Sequence, residues 1–281
     1  MLSELAPAKI NLNLFLGPTR ADGRHELVSV MQSITLADTL TMADTDAPGD
    51  EVRCEGVAGP NLAAAALGAF RERTGWDGPA QLLEIVKRVP IAAGMGGGSG
   101  DAAAALRLIS RRSGLGDQAM LEEIAAGLGA DVPAQVRPGR VLATGAGEQL
   151  ERLSDPEPFG VLVLPSAFAL STAAVYAQAD SMGLAHNEQE LREILVRVLS
   201  GDALAINELT PAAIALEPSI EAALAHASSL GAHTALLSGS GPTALGLFDT
   251  LGAAEDAARR SVSLGVRALA AAPIEASLGH N

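Results

Sequence analysis

The chain has 281 residues, of which 33 are acidic and 19 are basic, so its formal net charge at pH 7 is −14. Such an acidic chain has no surplus of lysine and arginine for a broad phosphate-binding face, which excludes nucleic acid as a main partner. The hydrophobic content of 48% indicates a folded protein with a sizeable core, and because aromatic residues make up only 2%, aliphatic side chains must build that core.

The single cysteine, Cys54, can form neither an internal disulfide nor a cysteine-based zinc site. The N-terminal residues lack the basic segment of a signal peptide. The uncharged stretch from residue 159 to 179 is long enough for a membrane span, but Pro165 and the hydroxyl side chains around it divide the stretch into a strand and a helix start. We therefore expect a cytoplasmic protein with no structural metal and no membrane contact, and no pattern in the sequence indicates its oligomeric state.

In the first half of the chain, short β-like runs alternate with turns that contain glycine. Apolar and polar patterning predicts strands over residues 9–16, 27–36, 39–42, 51–55, 81–89 and 140–143. Stretches rich in Ala and Leu predict helices over residues 62–73, 101–112 and 118–128, the first of them with Asn61 as a polar cap. This order places a glycine-rich segment between a strand and a helix at residues 90–100.

The second half contains more helix. Residues 154–158 combine prolines with acidic side chains and form the best linker candidate. Beyond them, strands are predicted over residues 161–164, 234–237 and 244–248, and helices over residues 172–178, 188–199, 219–230 and 253–264. The chain is therefore predicted to be an α+β protein of two lobes, an N-terminal mixed αβ lobe of residues 1–154 and a C-terminal αβ lobe of residues 155–281.

The glycine-rich segment of residues 90–100 reads PIAAGMGGGSG. Glycines permit positive φ angles and close backbone approach, so successive N–H groups can converge on an anion, and the following helix adds its own free N–H groups. No lysine follows as in a Walker loop, and Ser99 stands where a Rossmann loop has its third glycine. The segment predicts a phosphate-binding loop, and the alternative is a flexible turn with Ser99 as the helix cap. Asp101 would repel a bound phosphate unless a cation lies between them, which points to magnesium.

A second glycine loop, SGSGPTA at residues 238–244, matches the pattern G-x-G-x-x-A after a strand. Pro242 and the alternating residues that follow it predict a strand rather than a helix, so a dinucleotide-binding loop does not fit. We expect a β-hairpin that packs against another segment. It is either a structural turn or a loop that supports a nucleotide site.

Only two of the 19 basic side chains are lysines, Lys9 and Lys87. A compact ammonium can be aimed at a single oxygen, so Lys9 is either a functional cation or a solvated lysine at a strand edge. Lys87, beside Arg88, is expected at the surface or at the rim of a nucleotide. Asp131 follows a helix among apolar residues and needs a partner, either local N–H groups or a cation such as Lys9. If Lys9 and Asp131 meet, the pair suits phosphoryl transfer to an alcohol.

Four segments together resemble the GHMP kinase superfamily. They are APAKINL at residues 6–12, RADGRHEL at residues 20–27, the glycine-rich segment with its helix start at residues 90–104, and LSGSGPT at residues 237–243. The D-G-x-H pattern and the G-G-G-S core resemble in particular the members that act on a cytidine-diphosphate-linked methylerythritol. The resemblance spans nearly the whole chain.

The resemblance implies a two-lobed GHMP kinase fold and transfer of the ATP γ-phosphate to the tertiary hydroxyl of a methylerythritol, with magnesium, in non-mevalonate isoprenoid biosynthesis. Lys9 and Asp131 then take the catalytic positions. The residues implied to bind ATP are Asn61, near the adenine, and Pro90, Ala93, Gly94, Met95, Gly96, Gly97, Gly98, Ser99 and Gly100. The residues implied to bind the acceptor are Asn11, Asp22, His25 and Thr172.

The sequence departs from the family pattern at two positions. Arg24 stands where the family has a tyrosine that stacks on cytosine, and a guanidinium can also stack on a flat base. Gly100 stands where the superfamily has a serine linked to magnesium, with Asp101 adjacent. These departures leave open a catalytically silent nucleotide-binding module. A second alternative, within the same class, is another GHMP kinase that acts on a mevalonate-like alcohol.

Overall fold

The computed structural model describes residues 1–57, 59–202 and 205–275, so the last six residues of the second predicted lobe lie outside the described part. The strands, in chain order, are β1 (Leu2–Asn11), β2 (Phe15–Thr19), β3 (His25–Asp44), β4 (Glu51–Cys54), β5 (Gln81–Val86), β6 (Arg140–Thr144), β7 (Gln149–Arg152), β8 (Gly160–Leu164), β9 (Thr234–Leu237), β10 (Ala244–Phe248) and β11 (Leu269–Ala271). The helices are α1 (Leu62–Thr74), α2 (Gly97–Ser113), α3 (Gln118–Ala126), α4 (Val132–Val136), α5 (Thr172–Met182), α6 (Glu188–Leu199), α7 (Thr210–Leu216), α8 (Ser219–Ser229) and α9 (Leu251–Ser263).

Contacts within the chain divide it into two compact units. Unit 1 consists of Met1–Lys9, Leu36–Ile91 and Gly96–Pro138, and unit 2 consists of Ile10–Thr35, Ala92–Met95 and the described residues from Gly139 onward. The units are not contiguous in sequence, whereas the sequence predicts lobes of residues 1–154 and 155–281. The reason lies in β1 and β3, because each of these strands begins in one unit and ends in the other. The predicted boundary between the two lobes near residue 155 stays a prediction.

Unit 1 is a sheet covered by helices. The second half of β3 pairs with β5 in antiparallel register, from Thr39 opposite Val86 to Asp44 opposite Gln81, and β5 pairs with β4 in parallel. Helices α1 and α2 supply much of the core, where Phe70 and Leu106 are fully buried. Both helices end at a left-handed glycine, which is the usual way to stop a helix.

Unit 2 contains the first half of β3, which pairs with β2 and with β6, and a four-stranded antiparallel sheet in the order β11-β8-β10-β9. Helices α8 and α9 bury small alanine side chains against this sheet, among them Ala227 and Ala257, so the low aromatic content of the chain is compatible with a dense core. Helix α6 begins with a capping box between Asn187 and Glu190.

The mixed α+β prediction is confirmed, with local corrections. The strand predicted over residues 9–16 is two strands, because the chain turns at Asn13, whose Oδ1 accepts the backbone N–H of Val30 at 2.7 Å. Helix α2 begins at Gly97 rather than at residue 101, and β5 ends at Val86 rather than at residue 89. Helices α4 and α7 are absent from the sequence prediction because each has only five to seven residues.

The uncharged stretch at residues 159–179 is divided as predicted, into β8 and the start of α5. Among the helices in the described part of the chain, none combines the length and the apolar character needed to cross a membrane.

Candidate active site

Lys9 and Asp131 form an ion pair in unit 1, with 3.2 Å between Nζ and Oδ2. The sequence allowed Asp131 to bind either local N–H groups or a cation, and the structure shows the cation. Asp131 is the N-cap residue of α4, but its side chain makes no capping hydrogen bond there. The Lys9 side chain is 8% exposed and the Asp131 side chain 36% exposed. The ammonium is therefore held in the protein while the carboxylate is open to a solute.

The strand that carries Lys9 is tied to the helix that carries Asp131. Gln135 of α4, which is 1% exposed, donates from Nε2 to the Pro7 carbonyl at 2.8 Å, two residues before Lys9. Arg107 of α2 donates to the Gln135 carbonyl at 2.6 Å. Buried hydrogen bonds of this kind restrict both elements to one arrangement, so the distance within the ion pair is set by more than the pair itself.

The N-terminus of α2 lies directly beside Lys9. Gly96 is the N-cap residue with a φ of 64°, and the Ser99 cap that the sequence left open is therefore wrong. A Cβ added at Gly96 would lie 2.9 Å from Cγ of Lys9, so only glycine lets the helix start approach the lysine stem this closely. Because Gly96 has no side chain to cap the helix, the first N–H groups of α2 remain available for an anion, as at other helix N-termini.

Gly100 is buried in the first turn of α2, against β1. A Cβ at this position would lie 2.9 Å from the Pro7 carbonyl oxygen, which is backbone and cannot move without moving the strand. The structure thereby accounts for glycine at this position, since a side chain here would force α2 and β1 apart.

Lys87 is held between two carboxylates in unit 1. Its ammonium lies 2.5 Å from Oδ2 of Asp38 and 2.7 Å from Oδ2 of Asp101. The surface position that the sequence allowed for Lys87 is wrong, because its side chain is only 12% exposed. Burial raises the pKa of Asp101 to about 6, and it outweighs the opposite effect of the Lys87 ammonium.

This arrangement changes the argument for magnesium at Asp101. The cation that compensates the Asp101 carboxylate is the Lys87 ammonium, and Asp101 itself is 4% exposed. In the described part of the chain, no three His, Cys, Asp or Glu side chains are grouped as a metal site. Asp101 therefore does not fit a magnesium ligand, and an ion at this site would depend on phosphate oxygens and water.

Residues 92–95 of the glycine-rich segment belong to unit 2, where they contact the second glycine loop. Ser238 donates from Oγ to the Gly94 carbonyl at 3.1 Å, and a Cβ on Gly94 would lie 2.4 Å from the Ser238 carbonyl oxygen. The predicted hairpin is confirmed, because β9 and β10 pair in antiparallel register from Leu237 opposite Ala244. The second glycine loop thus contacts residues 92–95 of the first, and its support of a nucleotide site stays a prediction.

The loop backbone has positive φ angles at alternate positions, 54° at Ala92, 71° at Gly94 and 64° at Gly96. Ala92 is the one non-glycine residue with this conformation in the described part of the chain, and such strain is concentrated at functional sites. The side chains of Ala93 and Met95 are buried. A ligand of the loop would therefore meet backbone rather than these side chains.

Two further residues implied to bind ATP have local roles. Asn61 accepts the backbone N–H of Ala63 at 2.8 Å and so caps α1, as the sequence predicted. Pro90 is half-buried at the entry to the loop. Gly97, Gly98 and Ser99 form the first turn of α2.

In unit 2, His25 is 5% exposed, and its ring lies against α5. Nδ1 lies 2.9 Å from the Gly17 carbonyl, and because a carbonyl only accepts, Nδ1 carries a proton. Nε2 faces Oδ1 of Asp180 at 2.9 Å, and the Tyr176 ring centroid is 5.7 Å from the imidazole centroid. His25 thus presents Nε2 to a half-exposed carboxylate next to an aromatic ring.

The other residues implied to bind the acceptor also lie in unit 2. Asn11 is buried and donates from Nδ2 to Ser29 Oγ at 2.7 Å. Thr172, the first residue of α5, shares a hydrogen bond of 2.9 Å with Ser240 of the second glycine loop.

Asp22 lies in the exposed turn between β2 and β3 and pairs with Arg24, whose Nη2 is 2.9 Å from Oδ2. The backbone N–H and the side chain of Arg24 lower the pKa of Asp22. The side chain of Arg24 is 54% exposed, so the pairing with Asp22 leaves it accessible to a ligand.

Sequence reasoning missed four residues that the structure brings to these groups. Asp38 lies 49 residues from its partner Lys87, and Gln135 lies 128 residues from its partner Pro7, so no local pattern could reveal them. Tyr176 and Asp180 were detectable in principle. Tyr176 is the single tyrosine of the chain, and Asp180 follows it by four residues, which places both on one helix face.

Comparison with known proteins supplies the family. The model of the GHMP kinase N-terminal domain matches residues 61–139, and the model of the GHMP kinase C-terminal domain matches residues 184–262. A 4-diphosphocytidyl-2-C-methyl-D-erythritol kinase of Anaeromyxobacter sp. (strain K) is 40% identical over 265 residues, which cover 92% of this chain and 84% of the relative.

Two solved structures agree. A crystal structure of a 4-(cytidine 5'-diphospho)-2C-methyl-D-erythritol kinase matches with a TM-score of 0.81 and 30% identity over 97% of this chain and 99% of the other. A mevalonate kinase matches with a TM-score of 0.72 over 98% and 100% of the two chains, but its 12% identity supports the fold alone. The chain belongs to the GHMP kinases, in the family of the 4-diphosphocytidyl-2-C-methyl-D-erythritol kinases.

Proposed function

We propose that this chain transfers the γ-phosphoryl group of ATP to the 2-hydroxyl of 4-diphosphocytidyl-2-C-methyl-D-erythritol, in non-mevalonate isoprenoid biosynthesis. Membership of a kinase family implies the use of ATP, and the names of the similar proteins support this acceptor. The observation that carries the chemistry is the contact of 3.2 Å between Lys9 and Asp131 beside the N-terminus of α2. We expect the reaction to take place in the cytoplasm, because both substrates are charged and do not cross a membrane unaided.

On the donor side, we infer that the ATP phosphates bind the loop of residues 90–96 and the first turn of α2. The support is the helix start at Gly96, which has no side-chain cap, together with the positive φ angles at Ala92 and Gly94, a backbone conformation that anion-binding loops use. Asn61 remains our proposal for the adenine side. When bound, magnesium would reduce the charge of the phosphates, and this chain offers it no described cluster of acidic ligands.

In the transfer itself, the acceptor hydroxyl oxygen forms a bond to the γ-phosphorus while the bond from that phosphorus to the β–γ bridging oxygen breaks and ADP leaves. Asp131 is open enough to accept the hydroxyl proton and to orient the oxygen for attack. Lys9 is buried beside it, so its ammonium can stabilise the negative charge on the transferring group without a large reorganisation of solvent.

On the acceptor side, we infer that the cytidine portion binds near His25. Nδ1 of His25 is occupied by the Gly17 carbonyl, so Nε2 is the nitrogen that can exchange Asp180 for a ligand. In the neutral ring Nε2 is an acceptor, which suits the exocyclic amino group of cytosine. The exposed guanidinium of Arg24 offers a flat surface for the base. Asn11, Asp22 and Thr172 remain proposals for the rest of the acceptor.

The test is a coupled assay of ADP release by the purified protein with ATP and magnesium, with 4-diphosphocytidyl-2-C-methyl-D-erythritol in one reaction and mevalonate in another. ADP release that depends on the cytidine compound is the expected result. ADP release with mevalonate alone would assign a different acceptor, and silence with both acceptors in a folded protein that binds ATP would contradict the kinase proposal.

A matched pair of variants tests the role of Asp131. Asp131→Asn keeps the shape but removes the proton acceptor, so we expect the loss of most turnover, about 100-fold or more, with ATP binding retained. Asp117→Asn is the control, because Asp117 is also a helix N-cap residue of unit 1, and asparagine caps a helix equally well. Near-normal turnover of Asp131→Asn would remove Asp131 from the mechanism.

A further inference from the structure

A buried network of three charged side chains, Asp38, Lys87 and Asp101, lies next to the glycine-rich loop in unit 1. Asp38 is 0% exposed, a position that deprives a carboxylate of its hydration. Its Oδ2 accepts the Lys87 ammonium at 2.5 Å, and the same ammonium donates to Oδ2 of Asp101 at 2.7 Å. We call this group the Asp38 network. It connects β3 with the segments on both sides of the loop.

The second oxygen of Asp38 binds backbone. Oδ1 accepts the N–H of Arg88 at 2.5 Å and the N–H of Val89 at 2.8 Å. The Lys87 ammonium and these two N–H groups belong to three consecutive residues, which end where the loop begins at Pro90. Asp101 lies in α2, where the loop has ended. One buried carboxylate thus fixes the entry of the loop directly and its exit through Lys87.

The entry segment also packs on the first helical residue. A Cβ at Gly97 would lie 3.2 Å from Cγ1 of Val89 and 3.4 Å from Nζ of Lys87. The free N–H groups of α2 begin at this residue. A shift of Lys87 or Val89 would therefore displace the part of the helix that we propose to bind phosphate.

The charge of the network argues against a role in attracting phosphate. Two carboxylates and one ammonium have a net charge of −1 when all are ionised, which disfavours an anion nearby. Burying the two carboxylates also costs free energy, as the raised pKa of Asp101 indicates. The Asp38 network costs free energy of folding and does not attract phosphate. Its presence is explained if it stabilises the conformation of the loop.

We propose that Asp38 is a positioning residue for nucleotide binding, which acts through Lys87 to hold the glycine-rich loop and the start of α2 in the conformation that binds the phosphates of ATP. The proposal rests on the proposed function only for the identity of the nucleotide. Substitution of Asp38 has two possible effects on the affinity for ATP, and they have opposite signs. Removing the Asp38 charge strengthens ATP binding if electrostatics dominates, and weakens it if positioning dominates.

The experiment measures the Kd of ATP by titration calorimetry in magnesium buffer for the wild type and for Asp38→Asn. Asparagine keeps an oxygen for the two backbone N–H groups and loses the carboxylate that holds Lys87, so this variant tests the link to Lys87. We expect the Kd of ATP to rise about tenfold, which corresponds to a loss of about 1.4 kcal/mol of binding free energy when the phosphate-binding N–H groups are displaced. The KM of the acceptor should change less than about twofold, because the acceptor residues lie elsewhere in the chain.

Asp50→Asn is the matched control. Asp50 is a largely buried carboxylate of unit 1 that also binds one cation, Arg71 at 2.7 Å, and one backbone N–H, that of Gln81 at 2.8 Å, but it lies at the start of β4 and not at the loop. A general loss of stability would affect both variants, as urea unfolding would record. An effect on the Kd of ATP is expected for Asp38→Asn alone.

Lys87→Met provides a second variant and a double-mutant cycle. If Asp38 acts through Lys87, the double variant binds ATP no more weakly than Lys87→Met alone, so the two effects are not additive. Additive effects, an unchanged or lower Kd in Asp38→Asn, or an equal effect of Asp50→Asn would each overturn the proposal. Because the Kd requires no turnover, a wild type that binds ATP but releases no ADP refutes the proposed function and leaves this test intact, while a wild type that binds no ATP refutes both.

Discussion

Gly100 provides the sharpest test of how α2 packs on β1. An alanine Cβ there would lie 2.9 Å from the Pro7 carbonyl oxygen and 3.7 Å from the nearest atoms of Ala6, so the strand or the helix must move. Overpacking of this kind costs about 1–3 kcal/mol, and the better helix propensity of alanine returns up to about 1 kcal/mol. We expect Gly100→Ala to lower the free energy of unfolding by about 1–2 kcal/mol, measured by equilibrium urea unfolding.

Gly98→Ala is the matched control, because Gly98 lies in the same turn and the nearest atom to its added Cβ is Cδ1 of Leu62 at 3.9 Å. Gly98→Ala gains helix propensity without a close contact to β1, so its free energy of unfolding should equal or exceed that of the wild type. Gly100→Ser adds the same Cβ as alanine, so we expect this variant to lose a similar amount of stability, whether or not its hydroxyl can bind magnesium. A Gly100→Ala protein as stable as Gly98→Ala would refute the reasoning, since it would mean that β1 moves without cost.

The remaining predictions concern the ion pair, its support and the pH dependence of stability. Lys9→Ala and Lys9→Arg should both reduce kcat by about 100-fold or more, because the space beside Gly96 fits a narrow stem, and near-complete rescue by arginine would mean that charge alone matters. Gln135→Leu should cost about 1–3 kcal/mol in urea unfolding by removing the donor to the buried Pro7 carbonyl, and an unchanged midpoint would show that this carbonyl finds another donor. Burial is the largest single effect on the pKa of His186 and lowers it, but the hydrogen bonds and charges of Glu208 and Glu190 together outweigh burial, so the pKa is raised above 6.5 in the folded state. The stability from these interactions is therefore complete below pH 6.5 and is lost as the pH rises through the raised pKa, and Glu208→Gln should reduce that pH dependence of the urea midpoint.

Local patterns predicted the parts of the fold that depend on local physics. The bounds of α6 follow from its capping residue and its apolar spacing, and the cap at Asn61 follows from the residue type. The start of α2 was placed four residues too late, because glycine has low helix propensity and only the packing of Gly96 and Gly100 against β1 makes that turn helical.

The sequence also predicted that Lys9 and Asp131 could meet, because an isolated carboxylate among apolar residues needs a partner and lysine is rare in this chain. It could not predict the burial of Lys87. That burial depends on Asp38, which is 49 residues away and belongs to a strand whose pattern carries no sign of a buried charge. Contacts between distant segments are therefore the part of the site that single-sequence reasoning does not reach.

The division of β1 and β3 between the two units has a consequence for how the chain is made. All segments of unit 1 are present once residue 138 has been synthesised. Residues 10–35 and 92–95 of unit 2, by contrast, lack their packing partners until the residues from 139 onward have been synthesised. Until then, these segments expose apolar surface and unpaired strand edges, which favour aggregation. Pairings over such long separations also fold slowly. A chain cut after residue 155 should therefore be aggregation-prone in its N-terminal fragment, even though that fragment contains every segment of unit 1.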